Sequence, residues 1–201
     1  MFVSEDGKKR CFGGQPGKEL YAEYHDNEWG TPVYDDTTLF EFIILEGAQA
    51  GLNWKTILRR REGYRKAFNG FDFNKIAKYT EKDVERLLQD ERIIRNKLKV
   101  NSAILNAQVF LRIREEFGTF SSYIWGFVDN KPINKNVKSW KEVPATTEIS
   151  DKISKDLKKR GMKFVGSTII YAFMQAVGMV NDHLVDCFKH KEITAKAHEF
   201  N

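Results

Sequence analysis

Cys11 is followed fourteen residues later by His25, and Cys187 is preceded four residues earlier by His183. These are the two cysteines of a 201-residue chain. Two thiolates and two imidazoles are the donor set of a closed tetrahedral zinc site. A ring nitrogen and a thiolate at i and i+4 on a helix point the same way and can share one metal. Such a site would staple the two ends of the chain together, supporting a function rather than performing it. The same residues can instead be buried small hydrophobes or free thiols. A Cys11–Cys187 disulfide is a further option, though nothing in the sequence looks secreted.

A second constellation is Leu39-Phe40-Glu41-Phe42-Ile43-Ile44-Leu45-Glu46-Gly47. At 3.6 residues per turn Glu46 shares a face with Leu39, Phe42, Ile43 and Ala50. A carboxylate on a core-facing stripe is costly to bury unpaired. It can reach water at the stripe's edge, bond a helix end, or line a pocket where desolvation sharpens its charge. Tyr21, Tyr24 and Trp29 precede Glu46, and Trp54 follows it. Aromatics are usually core. An acid among Tyr and Trp rings also suits a flat, cationic base, through stacking and cation–π attraction.

The third constellation runs from Asp151 to Val177. A charged segment ending in Leu157-Lys158-Lys159-Arg160 meets Gly161-Met162-Lys163-Phe164-Val165-Gly166 and then an apolar stretch. Two glycines bracket a tight turn whose backbone N–H groups, with the next helix's N-terminus, could hold a DNA phosphate. An ordinary helical hairpin with a glycine cap reads the same way.

These residues need a scaffold, and helical periodicity dominates the chain. The sequence predicts helices from Leu39 to about Ala50, from Asn53-Trp54 to about Phe68, from Glu81 to Asp90 behind a Thr80 cap, and from Lys97 to Phe117. Phe120 to Val128 reads as a short aromatic helix, and residues 129–147 as an irregular connection. Ser150 is expected to cap a helix through Arg160. Ser167 to Val177 follows, and a last helix carries His183 and Cys187. No strand alternation is evident, so the expected architecture is a compact all-α bundle. Hydrophobic residues at 41% and aromatics at 13% suffice for a substantial core. Met1 to Arg10 shows no apolar leader and no run approaches 18 apolar residues, so the expectation is a soluble cytoplasmic protein with no membrane partner. A formal charge of +5 is compatible with nucleic acid. Basic residues cluster at Arg59–Arg61, Arg92–Lys99 and Lys158–Arg160, which solvated helix faces would also explain.

Three stretches together resemble DNA-3-methyladenine glycosylase I, the Tag family: Tyr24-His25-Asp26-Asn27-Glu28-Trp29-Gly30, then Leu45-Glu46-Gly47-Ala48-Gln49-Ala50-Gly51-Leu52-Asn53-Trp54, then Lys158 to Thr168. Asn181-Asp182-His183 fits as well, and the resemblance spans about Lys9 to Cys187. It implies a single helix-hairpin-helix glycosylase domain over 11–190, with flexible ends at 1–10 and 191–201. It implies structural zinc on Cys11, His25, His183 and Cys187. It places the base-contacting glutamate at Glu46 and the pocket aromatics at Tyr24 and Trp54, with Tyr21 nearby. DNA contacts would come from Gly51 and Leu52, entering the gap in the duplex, and from the hairpin through Gly161, Lys163 and Gly166. The family usually has a tryptophan shortly after the first cysteine, where this chain has Phe12.

The implied activity is hydrolysis of the N-glycosidic bond of 3-methyladenine in double-stranded DNA by a monomer, releasing the free base. No lysine stands out as a Schiff-base nucleophile, so no strand cleavage is expected. Asp182, beside His183, is read as a cap or a support to the metal site rather than the catalytic acid. The competing expectation is a non-catalytic helix-hairpin-helix DNA-binding module. A hydrolase of free nucleosides is a second.

Overall fold

The computed structural model describes residues 1–199. The order of elements is β1 Phe2–Val3, β2 Lys9–Arg10, α1 Glu19–Asn27, α2 Asp36–Gln49, α3 Trp54–Ala67, α4 Phe73–Ile76, α5 Glu81–Gln89, α6 Lys97–Phe117, α7 Phe120–Trp125, β3 Ile133–Asn134, α8 Glu148–Arg160, α9 Ser167–Ala176, β4 Val180–Asn181 and α10 Phe188–Glu199. The architecture is all-α, as its periodicity predicts, with two short strand pairs in addition. β1 and β2 pair antiparallel near the N-terminus. β3 and β4 pair parallel, tying residues 133–134 to 180–181.

α2 is the axis of the bundle. Every residue from Leu39 through Ala48 is buried. A helix apolar on one stripe keeps a wet face, whereas one apolar all round must be enclosed. α3, α6, α7 and α9 all pack against α2. The fully buried rings of Phe40, Phe42, Phe110, Phe120, Trp125 and Phe173 fill the space between these helices. Asp35 starts α2 by accepting from the Thr38 N–H at 2.8 Å. Asp36 is used differently: it accepts the Phe120 and Ser121 N–H groups at 3.1 and 2.9 Å, fixing the start of α7 to α2.

Several boundaries differ from those expected. α8 begins at Glu148 with Thr147 as its cap, and Ser150 is the third residue of a reciprocal capping box. Ser150 is the weaker cap because its hydroxyl is taken up, accepting from the Thr147 N–H and meeting Ser167 Oγ at 2.8 Å. His183 and Cys187 do not ride on a helix. They lie in the turns between β4 and α10, and α10 starts one residue after Cys187. Phe120–Val128 is α7 followed by a separate 3-10 turn at Gly126–Val128. The ends set aside as 1–10 and 191–201 hold β1, β2 and most of α10, and residues 200–201 of that tail lie outside the described residues.

Candidate active site

α1, a short helix, carries Tyr21, Tyr24 and His25, and so delivers a pocket wall and a metal-ligand candidate from one rigid turn. α2 delivers Glu46 and Gln49, and α3 opens with Trp54 behind an Asn53 cap that accepts from the Thr56 N–H at 2.9 Å. Phe12, Tyr21, Tyr24, Trp29, Glu46, Gln49, Trp54, Trp140, Ala172 and Gln175 line one cleft of about 330 Å³. That size lies within the range of small-ligand sites. The four residues expected at a base pocket, Glu46, Tyr24, Trp54 and Tyr21, are therefore brought together.

Glu46 is 4% exposed and has no hydrogen bond or ion pair among the described residues. Burial pushes its pKa up to about 8. Glu41, one and a half turns earlier on the same helix, shows the alternative. It is equally enclosed, but accepts Arg61 Nε at 2.6 Å and lies 3.0 Å from Arg65. An enclosed carboxylate with a guanidinium is structural, whereas one facing a cleft without a partner is available to a ligand. Burial first, and then the Glu46 charge, push the Tyr24 phenol well above its ordinary range. Tyr24 therefore keeps its proton and can donate. Its ring centroid is 5.5 Å from that of Trp54. The Trp54 indole N–H is buried without a partner among the described residues, so this wall also holds an unused donor.

Cys11 Sγ lies 3.2 Å from His25 Nε2 and 3.4 Å from His183 Nδ1. Cys187 Sγ lies 3.3 Å from His25 Nε2 and 3.7 Å from His183 Nδ1. All four ligand atoms are buried and fall within 4.8 Å of one another. Metal–sulfur and metal–nitrogen bonds of ordinary length in a tetrahedron put ligand atoms about 3.4 to 3.8 Å apart, so the donor set fits a metal ion. Both cysteines are free thiols, with no disulfide. The His tautomers fit as well. His25 Nδ1 donates to Asp26 Oδ1 at 2.8 Å and His183 Nε2 donates to the Trp29 carbonyl at 2.9 Å, turning the other nitrogen of each ring toward the sulfurs. Arg10 in turn holds Asp26 at 2.6 Å. Gly30 has φ +77, and a Cβ there would stand 2.9 Å from His183 Nε2, so the chain turns at Gly30 without displacing the ring.

The cluster touches the cleft through rings. Phe12 meets His25 edge-on at 4.7 Å and Trp29 at 5.0 Å, and Trp29 meets His183 at 4.5 Å. Asp182 lies behind this wall, fully buried, accepting from the Tyr171 hydroxyl and from Gln175 Nε2 at 2.9 Å. It is not among the residues lining the cleft.

The remaining candidates lie apart from the cleft. Gly51 (φ +77) and exposed Leu52 form the bend between α2 and α3, directly between Gln49 and Trp54. Lys99 of α6 donates to the carbonyls of Ala48 and Ala50, both at 2.7 Å, so the end of α2 is held from behind. In the hairpin, Gly161 at φ +107 ends α8, and the Met162 N–H reaches back to the Leu157 carbonyl. Asn106 of α6 grips Lys163 by both backbone groups, accepting from its N–H at 2.8 Å and donating to its carbonyl at 2.9 Å. The Lys163 side chain stays exposed, while its N–H is engaged inward. Gly166 offers no side-chain cap, so the first N–H groups of α9 have none. A Cβ on Gly47 would stand 3.2 Å from Phe164 Cβ, so the hairpin seats directly against α2 one residue from Glu46.

Trp29 and Phe12 were visible in the sequence as an aromatic and as a departure from the expected tryptophan. Trp140, Gln175 and Ala172 carried no signal, because they come from the irregular connection and from the middle of an apolar helix.

Comparison with known proteins agrees with this geometry. A family model described as methyladenine glycosylase matches residues 15–190. The chain is 51% identical over 179 residues to DNA-3-methyladenine glycosylase 1 of Escherichia coli K12, covering 89% of this chain and 95% of that one. It is 48% identical over 170 residues to DNA-3-methyladenine glycosylase of Haemophilus influenzae Rd, covering 85% and 92%. A solved structure of 3-methyladenine DNA glycosylase I from Staphylococcus aureus, determined to explain recognition of 3-methyladenine, superposes with a TM-score of 0.87 at 34% identity, covering 90% and 96%. An unpaired carboxylate in an aromatic cleft and a Cys/His cluster joining the two ends of a helical bundle thus occur in a chain that belongs to the methyladenine glycosylase family.

Proposed function

We infer that this protein is a DNA glycosylase that hydrolyses the N-glycosidic bond of 3-methyladenine in alkylated double-stranded DNA. The observation that carries the reading is Glu46, an unpaired buried carboxylate facing a cleft walled by Tyr24, Trp54 and Trp29. Methylation at N3 leaves the base positively charged while it is attached to the sugar. A flat cation is attracted by ring faces and by an ionised carboxylate, and extruding it from the stack costs a few kcal/mol. Glu46 accepts hydrogen bonds from the adenine edge, the Tyr24 hydroxyl contacts the base beside it, and Trp54 stacks. The C1′–N9 bond breaks with its electron pair going to the base, which leaves neutral. Water adds at C1′ and loses a proton, giving an abasic sugar.

The base departs as a good leaving group, so the site needs little general-acid chemistry. No lysine lines the cleft, which supports a monofunctional enzyme without strand cleavage. Leu52, exposed at the tip between α2 and α3, is placed to enter the gap in the duplex. The α9 N-terminus and the Lys163 side chain are assigned to a phosphate in a helix-hairpin-helix contact.

The metal is assigned as structural zinc held by Cys11, His25, His183 and Cys187. When bound it supplies a closed four-point link between chain ends and leaves no coordination position for substrate. We assign the working form as a cytoplasmic monomer.

Base release tests the reading: native protein and its Glu46→Gln and Tyr24→Phe variants are incubated with methylated duplex DNA and the freed bases resolved chromatographically. Native protein should free 3-methyladenine and both variants should be slower. Binding to the duplex without release would instead identify a non-catalytic DNA-binding module.

A further inference from the structure

The rings around the cleft fall into two groups. Tyr24 and Trp54 form one, next to Glu46. Phe12, Tyr21, Trp29 and Trp140 form the other, with Phe12 6.2 Å from Tyr21, and Trp140 6.2 Å from Phe12 and 6.0 Å from Trp29. Within the second group exposure is unequal. Trp29 is 8% exposed and is spent against His183, whereas Trp140 is 41% exposed and still lines the cleft. A flat ligand entering from solvent therefore meets Trp140 on that side.

An exposed tryptophan on an irregular segment is usually mobile, but this one is held at several points. Its N–H donates to the Cys11 carbonyl at 3.1 Å. Ser139 caps the 3-10 turn Trp140–Glu142 by accepting from the Lys141 N–H, and Glu142 folds back to accept the Lys138 N–H at 3.2 Å. Just upstream, the buried Val137 accepts the Val185 N–H at 2.9 Å. The indole's polar edge is thus satisfied by the first loop, while its apolar surface remains turned to solvent at the cleft. Leaving that much indole in water is unfavourable unless something covers it.

We propose that Trp140 is a base-contacting residue, an indole wall that covers the extruded purine from the side opposite the Tyr24–Trp54 pair and sets the affinity for it. The proposal rests on the reading of the cleft as a methylated-base pocket. A stacking wall acts on the bound base rather than on bond breaking. Its loss should raise KM and weaken free-base binding more than it lowers kcat.

The test uses the full chain with Trp140→Ala and Trp140→Phe. Free 3-methyladenine affinity is measured by calorimetry, release kinetics on methylated duplex DNA are measured in parallel, and metal content is measured for each protein. Removing one aromatic stacking partner should weaken free-base binding by roughly tenfold or more, and Trp140→Phe, which keeps a ring but loses the N–H, should stay within about threefold of native. Native affinity in Trp140→Ala would overturn the proposal. So would an equal loss in Trp140→Phe, because the bond to the Cys11 carbonyl would then be the part that matters. Loss of metal from Trp140→Ala together with base affinity would place the effect in the first loop and overturn it likewise. Failure of the native protein to bind and release 3-methyladenine would remove the functional reading and this proposal together, whereas normal release by native and Trp140→Ala alike removes the proposal alone.

Discussion

Glu46 is the carboxylate that burial moves furthest from ordinary behaviour among the described residues. Burial raises its pKa from the usual 4.5 to about 8. At low pH the carboxyl is neutral whether the chain is folded or not. As pH rises from 4.5 toward 8 the unfolded chain gives up its proton while the folded one holds it, so stability falls by up to roughly 1.4 kcal/mol per pH unit, and levels off above 8. Glu46→Gln removes this liability. The variant should match the native protein near pH 5 and exceed it by about 4 kcal/mol near pH 8.5 in denaturant unfolding. A gap that does not change with pH would contradict the assignment of an unpaired buried carboxyl. The sequence made Glu46 conspicuous because an acid in an apolar run has few innocent explanations. It gave no sign that Glu41 is buried as well, since the partner that makes this possible, Arg61, lies on another helix. Trp140 left no trace at all, because its segment has no periodicity from which a facing direction could be read.

At the scale of elements, the cleft depends on α2 being enclosed and on α1 and α3 being locked beside it. Arg61 provides much of that lock. From α3 it reaches Glu41 on α2 and Glu28, just past the end of α1, both at 2.6 Å. Arg61→Met should destabilise the protein by about 3 to 5 kcal/mol, because Glu41 would be left enclosed with weaker compensation, and Glu41→Leu in the same chain should recover most of the loss. Chemical denaturation of the single and double variants checks this, and a single-variant loss under about 1 kcal/mol would show the pair to be incidental. The long helices α2, α3, α6, α8 and α9 were legible from their period and caps, as with Lys97–Phe117 and its Gly118 stop, whereas the twelve-residue α10 was expected to carry His183 and Cys187 and starts only at Phe188. The nine-residue α1, with Tyr24 and His25 as its buried residues, has too little pattern to announce itself. The i, i+4 spacing of His183 and Cys187 suggested a helix, yet the turns that hold them bring both side chains to the same point.

At the scale of the whole molecule, residues 172 positions apart meet where Cys11 faces His183. The closure carries Phe12 and Trp29 with it, so the ends of the chain form a wall of the cleft. Native protein should contain about one zinc per chain, and His183→Ala should fall below about half an equivalent while losing more stability than the ~3 kcal/mol that bounds most substitutions. Elemental analysis and thermal unfolding measure both. Free 3-methyladenine affinity should drop in the same variant as the Trp29 wall loosens. Full metal content after loss of His183 would contradict the ligand set. The four Cys and His residues of the cluster were nameable from sequence because few residue types bind zinc. That they also position aromatic rings was not, because it depends on ring-to-ring contacts across the fold.

The most direct test of the account is single-turnover release of 3-methyladenine from methylated duplex DNA as a function of pH, for native protein and Glu46→Gln. If ionised Glu46 favours the cationic base, native kcat/KM should rise with pH and reach a plateau above about 8. Glu46→Gln should be slower at the plateau, on the order of 100-fold, with the rise abolished. Equal rates and the same pH profile in both proteins would contradict the central role assigned to Glu46.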